Sequence, residues 1–100
     1  LEGILAVSGV DGLIIGPYDL SCSMGIPGEF EQPEFKEAMS YILNTALSLD
    51  RPAGLHLVEP DLDRLSDLVA QGYRFIAYSV DVRMLDVTAR AGVQKIKDIG

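Results

Sequence analysis

The segment from Gly16 to Ser21 contains the side chain with the clearest capacity for chemistry. Gly16 permits close approach of the backbone and Pro17 stiffens the turn, after which Asp19 presents a carboxylate. A hard divalent cation prefers oxygen ligands of this kind. Taken by itself, an Asp two positions before a Ser is more often a turn former or cap that bonds its own backbone, so both interpretations stay open.

Three further side chains follow or interrupt apolar segments. Glu59 and Asp81 stand at or just before expected helix starts, where a carboxylate is stabilised without any other role, so capping is the favoured interpretation. His56 lies inside an apolar segment, where a hydrogen-bonded core or rim histidine is more common than a catalyst. If Leu55 and Leu57 face the helices, His56 faces the opposite side of the sheet, near the end of its strand.

Two other sets of residues are weaker candidates for a catalytic or metal-binding role. Cys22 has no nearby histidine or basic residue that would activate its thiol, so it is not expected to be a nucleophile. The acidic series Asp61, Asp63 and Asp67 lacks the sixth-position glycine and twelfth-position glutamate of a calcium loop. A solvated acidic helix face is therefore the favoured interpretation of that series.

Short apolar segments alternate with segments of helical periodicity along the chain. Strands are expected at Val10–Ile15, Ala53–Val58 and Arg74–Ser79. Helices are expected to begin at Pro33, at Pro60 with Gly72 as the C-terminal cap, and near Asp81, the last interrupted at Gly92 and resuming towards Ile99. Residues 17–32 show little periodicity and are expected to form a long functional loop.

This alternation predicts an α/β fold in which three β-α units share a parallel sheet. A complete (β/α)₈ TIM barrel takes about 250 residues, so three units in 100 residues match the share of a barrel's last part. Leu1–Val7 is typical of the end of a helix, which indicates a truncated chain. Residues 1–100 are therefore expected to be part of a single barrel domain, with any ligand at the C-terminal ends of its strands.

Composition limits the partners of the chain. Fifteen acidic and eight basic residues give a net charge of −7, which disfavours nucleic acid and anionic lipid surfaces. A single cysteine and a single histidine exclude an intrachain disulfide and a zinc site built from several such ligands within this chain. No signal peptide or membrane span is evident, so a cytoplasmic location is expected.

The run from Val10 to Gly25 is distinctive. It reads VDGLIIGPYDLSCSMG and resembles the sixth-strand signature of the class II pyruvate-dependent aldolases of the HpcH/HpaI group. Further similarity lies at Pro33-Glu34, at 52–55 in the seventh strand, and at 73–77 with Val80-Asp81 around the eighth. The resemblance covers nearly the whole chain and implies strands six to eight of a TIM barrel.

The resemblance implies a carbon–carbon lyase that binds Mg²⁺, Mn²⁺ or Co²⁺ and releases or consumes pyruvate together with an aldehyde. It assigns Asp19 as a metal ligand and the backbone amides of Tyr18 and Asp19 as contacts to the pyruvate carboxylate. His56 matches a pocket-facing position that is often Leu, where it would influence the choice of aldehyde. The family also implies a homo-oligomer, with the Val93–Ile99 tail packing across subunits.

The same resemblance implies that important groups lie outside the chain. The second metal ligand, a pyruvate-binding arginine and a histidine base precede the matching region in the family, so the 100 residues alone are expected to be inactive. Two alternatives remain at this point. One is a non-catalytic interaction module that pairs its open edges with another copy, and the other is a metal-enolate barrel like the citrate lyase β-subunit, which the lack of a phosphate-binding loop disfavours.

Overall fold

The computed structural model describes all residues from 1 to 100. In chain order the elements are α1 (Glu2–Leu5), β1 (Leu13–Ile15), α2 (Pro17–Ser23), α3 (Pro33–Ser48), β2 (Ala53–Leu57), α4 (Leu62–Gln71), β3 (Phe75–Tyr78) and α5 (Asp81–Ile99). None of these helices combines the length and the apolar character that crossing a membrane requires.

The three strands form one parallel sheet in the order β1-β2-β3. Leu13 pairs with Ala53 at one junction, and Leu55 pairs with Ile76 at the other. Parallel neighbours need a crossover between them, and here helices α3 and α4 supply it. The predicted β-α alternation is confirmed, and three such units fit part of a TIM barrel.

The core lies between one face of this sheet and the helices. Leu55, only 3% exposed, belongs to it. The other members of the buried cluster are Leu5, Ile15, Leu43, Ala46, Ala53, Leu68 and Tyr73. Since side chains alternate along a strand, the burial of Leu55 assigns His56 to the other face of β2.

That second face of the sheet is largely open. Ile14 is 54% exposed and Phe75 is 43% exposed, although both are large and apolar. The Phe75 ring occupies the space that a side chain at Gly54 would need, which explains the glycine at this position of β2. In a complete barrel this face would line the interior, where apolar side chains are covered by the remaining strands.

The prediction of a loop throughout residues 17–32 was wrong, because residues 17–23 form helix α2. Gly16 is extended at the N-cap, and Pro17 stands at the first helical position, where its fixed φ suits the helix and its missing N–H is not needed. Seven residues make only two turns, too few for a 3.6-residue period to be recognised.

Two helix boundaries also differ from expectation. Helix α4 begins at Leu62 rather than Pro60, with Asp61 as its N-cap. Helix α5 continues through Gly92, whose Cβ position has no atom within 4 Å. A solvent-facing glycine costs helix stability of about 1 kcal/mol but removes no hydrogen bond, so the helix continues. The predicted C-terminal cap at Gly72 is confirmed, and the residue has a left-handed φ of 117°.

Candidate functional site

The segments that follow the three strands lie at one edge of the sheet, because the strands are parallel and adjacent. Helix α2 directly follows β1, the 58–61 segment follows β2, and Ser79 and Val80 link β3 to α5. In barrels and open α/β sheets, ligands bind at this edge. The edge is therefore the candidate functional site.

Asp19 lies at this edge, in the first turn of α2. Its side chain is exposed, and its carboxylate accepts no hydrogen bond and forms no ion pair within the chain. Its Oδ2 atom lies 3.0 Å from the position that a Cβ at residue 16 would occupy, so the carboxylate leans over Gly16. The alternative that Asp19 bonds its own turn is therefore wrong.

The backbone amides of Tyr18 and Asp19 also lack acceptors. The amide of Leu20 donates to the Gly16 carbonyl at 2.9 Å, but neither of the two preceding amides donates to any atom of the chain. Gly16 has no side chain with which to cap them. Free amides at the start of a helix are suited to binding an anion.

Ser21 holds α2 against the loop that follows it. Its hydroxyl donates to the Tyr18 carbonyl at 2.8 Å and accepts from the Gly28 amide at 2.9 Å, and the residue is fully buried. The Tyr18 ring also packs edge-on against Phe30, with ring centroids 4.8 Å apart. Sequence reasoning recognised Ser21 as part of a motif but missed this positioning role, since its partner is seven residues away.

His56 lies at the same edge, near the end of β2. Its Nε2 atom is 3.0 Å from the backbone carbonyl oxygen of Ser79. Ser79 is 6% exposed and has a positive φ of 58°, and its amide donates to the Leu57 carbonyl at 2.6 Å. The ring of His56 is thus held between the ends of β2 and β3.

The remaining carboxylates at this edge have partners of their own. The Asp61 side chain accepts from the Arg64 amide at 3.0 Å, and Asp81 accepts from the Val82 amide at 2.7 Å. Asp61 is therefore a cap rather than part of a purely solvated face. Asp81 bonds the start of α5 as expected, although the N-cap residue itself is Val80.

The capping prediction for Glu59 was wrong. Its carboxylate pairs with the Arg83 guanidinium, with Nη2 and Oε2 2.9 Å apart. The hydrogen bond from Arg83 to Glu59 raises the pKa of the arginine above its ordinary value. Glu59 thus joins the end of β2 to helix α5, because Asp61, two residues later, takes the capping position.

A cavity of about 650 Å³ extends from this edge between α3 and α4. Tyr18 and His56 both border it, together with Phe30, Phe35 and Val58, whereas Asp19 does not. The buried Leu55 also lines this cavity, so the cavity lies on the helix side of the sheet and is separate from the open face on which the His56 ring lies.

The residues at this edge fit a divalent cation only as part of a ligand set. Asp19 fits as a single oxygen ligand, since its carboxylate is accessible and free of other partners. No group of three or more His, Cys, Asp or Glu side chains in the chain is placed to surround an ion. The residues present therefore match one ligand of a larger coordination set.

Comparison with known proteins gives a consistent match. The family model described as HpcH/HpaI aldolase/citrate lyase matches residues 1–87. A hydroxypyruvate/pyruvate aldolase from Roseovarius nubinhibens is 40% identical over 96 residues, covering 95% of this chain and 36% of the relative. A 5-keto-4-deoxy-D-glucarate aldolase from Shigella dysenteriae is 33% identical over 99 residues, covering 98% of this chain and 36% of the relative.

A solved structure has the same fold. The crystal structure of an HpcH/HpaI aldolase/citrate lyase family protein from Burkholderia cenocepacia superimposes with a TM-score of 0.88 at 30% identity, over 96% of this chain and 37% of that protein. The chain thus spans about a third of the length of the curated relatives that it matches, 36% in the Roseovarius protein.

Proposed function

The chain belongs to the HpcH/HpaI aldolase/citrate lyase family, and on that premise we propose that it forms strands six to eight of a divalent-metal-dependent aldolase. The reaction proposed is aldol cleavage of a 2-keto-hydroxy acid to pyruvate and an aldehyde, or the reverse condensation. The observation that supports this most is the Asp19 carboxylate, which is free of partners at the end of β1 beside two free amides. The relatives carry the names of aldolases that act on keto acids.

Asp19 is proposed as the metal ligand contributed by this chain. A carboxylate that satisfies no other group keeps its oxygens available to Mg²⁺, Mn²⁺ or Co²⁺. When bound, such an ion supplies Lewis-acid stabilisation for the negative charge that develops on the keto oxygen of pyruvate. Gly16 contributes by leaving open the space over which the carboxylate leans.

The amides of Tyr18 and Asp19 are proposed to hold the pyruvate carboxylate. Both point from the first turn of α2, where the partial positive charge of the helix end favours an anion. Because the contact is made by the main chain, the tyrosine side chain at residue 18 does not interfere with it. Buried Ser21 fixes the carbonyl of Tyr18 and so orients this turn.

His56 is proposed to contact the aldehyde end of the substrate. It lies on the open face of the sheet at the end of β2, and its hydrogen bond to Ser79 restrains the ring there. In this proposal the end of β2 contributes to the choice of aldehyde, while the start of α2, directly after β1, holds the ion and pyruvate.

The proposed site is completed by groups outside these 100 residues. One carboxylate leaves most of the coordination positions of an ion to water, so the chain alone is expected to be inactive. A complete barrel, assembling further as a cytoplasmic homo-oligomer, is the proposed active form. Residues 1–100 are its C-terminal portion and belong to one domain.

The test uses a hybrid barrel in which this chain replaces the matching 36% of the Roseovarius nubinhibens aldolase. With Mn²⁺ and pyruvate, exchange of the pyruvate methyl protons with deuterium is followed by NMR. We expect exchange in the hybrid and its loss in Asp19→Ala. Exchange that is unaffected by Asp19→Ala in a folded hybrid would contradict the proposal, and Asp63→Ala, on the exposed side of α4, provides the matched control.

A further inference from the structure

We propose that the cavity between α3 and α4 is a second binding site, and that it takes a small carboxylate that carries an aromatic ring. The cavity lies on the helix side of the sheet, and Asp19 does not line it, so this site is separate from the proposed ion site. Four features of the cavity support the proposal: the origin of its walls, a run of aromatic rings, a buried tyrosine without a partner, and one unpaired arginine.

The walls of the cavity come from elements whose neighbours are present in the chain. Leu55 lies on β2, the central strand, which pairs with β1 on one side and with β3 on the other. Leu43 of α3 and Arg64 of α4 also line the cavity. Strands that complete a barrel join the outer edges of β1 and β3, so they do not fill this space. The volume of about 650 Å³ is within the range of small-molecule sites.

Three aromatic rings in contact border the cavity. The Tyr18 ring packs edge-on against Phe30, with centroids 4.8 Å apart, and Phe30 lies 5.1 Å from Phe35 with the ring planes tilted by 38°. All three residues line the cavity, and Phe35 is buried. Because a fourth ring can extend such a run with the same favourable geometry, we expect the apolar part of the ligand to be aromatic.

Tyr73, between α4 and β3, supplies a hydrogen-bond donor to the cavity. The residue is only 3% exposed, and its hydroxyl bonds no group of the chain. No side-chain oxygen or nitrogen is both fully buried and without a partner, so this hydroxyl retains access to the cavity. Burial raises the pKa of the Tyr73 phenol, which therefore keeps its proton. Since a buried tyrosine hydroxyl usually finds a partner, the acceptor for Tyr73 must come from the cavity.

Arg64 is the one charged side chain around the cavity whose charged group has no partner. The other charged groups there are matched: Lys36 with Glu31 at 2.6 Å, Arg83 with Glu59, and the Arg64 amide with Asp61. The Arg64 guanidinium is exposed and forms neither an ion pair nor a hydrogen bond within the chain. The unmatched charge at the cavity is therefore positive, which favours an anion.

The Arg64 guanidinium also lies near the Tyr73 hydroxyl. Its charge opposes the effect of burial on the pKa of Tyr73, and it adds to the effect of Lys36 in lowering the pKa of Glu31. A carboxylate can accept from the guanidinium and the hydroxyl together, because each of its oxygens has lone pairs to offer. The polar end of the ligand is therefore assigned to Tyr73 and Arg64, and its ring to the aromatic wall.

The first experiment measures binding to the hybrid barrel by titration calorimetry, without metal or pyruvate. The probe is 4-phenylbutanoate, and it is compared with 4-phenylbutanamide, which lacks the charge, and with butanoate, which lacks the ring. We expect the Kd of each comparison compound to be at least about tenfold weaker. Equal affinity for the amide would overturn the carboxylate, and equal affinity for butanoate would overturn the aromatic ring.

The second experiment locates the probe with ¹³C-labelled methionine methyl groups. Met39 lines the cavity, whereas Met84, on α5, does not. We expect 4-phenylbutanoate to shift the Met39 methyl signal in a saturable way and to leave the Met84 signal unchanged. Binding that leaves the Met39 signal unchanged would overturn the assignment of the ligand to this cavity.

The third experiment compares variants of the two polar groups. Tyr73→Phe should weaken 4-phenylbutanoate binding about tenfold, as for one lost hydrogen bond to a charged group, and Arg64→Gln should weaken it less, since solvent screens an exposed charge. Tyr78→Phe and Arg74→Gln are the matched controls, because these residues are of the same types but do not line the cavity.

An unchanged Kd in both Tyr73→Phe and Arg64→Gln would overturn the role of these groups. If Tyr73→Phe does not fold, the comparison of acid and amide in the wild-type hybrid still decides between a carboxylate and a neutral ligand. Pyruvate methyl exchange depends on Asp19 and not on this cavity, so the failure of one proposal is distinguishable from the failure of the other.

Discussion

The carboxylate that follows β1 and the carboxylates that follow β2 and β3 stand at one edge of the same sheet but differ in their partners. Asp61 and Asp81 bond backbone amides at the starts of α4 and α5, and Glu59 pairs with Arg83. Asp19 has no such partner. A carboxylate that bonds its own helix contributes to stability, whereas one left free at a strand end is available for a ligand.

The residue before each helix accounts for much of this difference. Asp61 is the N-cap of α4 and reaches the Arg64 amide, whereas the N-cap of α2 is Gly16, which has no side chain. Asp19 stands inside the first turn of α2 and leans over that glycine instead of capping. The start of α2 therefore has both a free carboxylate and free amides. The starts of α4 and α5 do not combine the two.

The largest effect is expected for Asp19→Asn in the hybrid barrel. The amide side chain keeps the size of the carboxylate but loses its charge, so pyruvate methyl exchange should fall about a hundredfold, as when one electrostatic stabiliser is removed. Asp61→Asn is the comparison, because Asn still caps a helix. Equal exchange rates in Asp19→Asn and Asp61→Asn would contradict the assignment of the ion to the end of β1 rather than the end of β2.

A smaller effect is expected for Gly16→Ala. The φ of Gly16 is −96°, so alanine is tolerated by the backbone, but its Cβ would lie 3.0 Å from Asp19 Oδ2. The carboxylate must move, and Mn²⁺ affinity measured by water-proton relaxation should weaken about tenfold, as when the orientation of a metal ligand is disturbed. Gly92→Ala, whose Cβ meets no atom within 4 Å, should leave the affinity unchanged.

For the free energy of unfolding, we expect the larger effect at Asp61 and the smaller effect at Asp19, the reverse of their expected effects on exchange. Asp61→Ala removes a helix cap and should lower the free energy of unfolding by about 1 kcal/mol. Asp19→Ala removes no hydrogen bond and should change it by less than about 0.5 kcal/mol. Urea denaturation of the two variants checks this, and a larger loss in Asp19→Ala would mean that its carboxylate has a structural role.

The smallest effect is expected for Glu59→Gln. The Glu59–Arg83 pair is solvent-accessible, with the glutamate side chain 52% exposed, so water and salt screen it. The unfolding midpoint and Mn²⁺ affinity should both stay close to those of the wild type. A clear fall in Mn²⁺ affinity would indicate that Glu59 belongs to the ion site after all.

Sequence patterns predicted the sheet well because its strands are short, apolar and bounded by Gly and Pro. The helix at residues 17–23 was not predicted, because two turns are too short to show a helical period. Gly16 and Pro17 are also residue types that are common in loops. The predicted interruption of the last helix at Gly92 was also wrong, because a glycine that faces solvent weakens a helix without ending it.

Sequence patterns also indicated part of the candidate site. Asp19 was predicted as a candidate ligand from the Gly-Pro-x-Asp-Leu-Ser run. The sheet face on which His56 lies followed from strand alternation, because Leu55 is buried. The His56–Ser79 contact and the Ser21–Gly28 contact span 23 and 7 residues, respectively. Such contacts depend on tertiary packing, and no local pattern encodes them.

The most direct test is paramagnetic broadening by Mn²⁺ in amide spectra of the hybrid barrel, which supplies the remaining ligands and needs no catalytic activity. If Asp19 is the free ligand, low concentrations of Mn²⁺ should first broaden the amides of residues 16–21, and Asp19→Asn should abolish this effect. Broadening centred on Asp61 or Asp81, or broadening around residues 16–21 that persists in Asp19→Asn, would contradict the assignment of the ion to the end of β1.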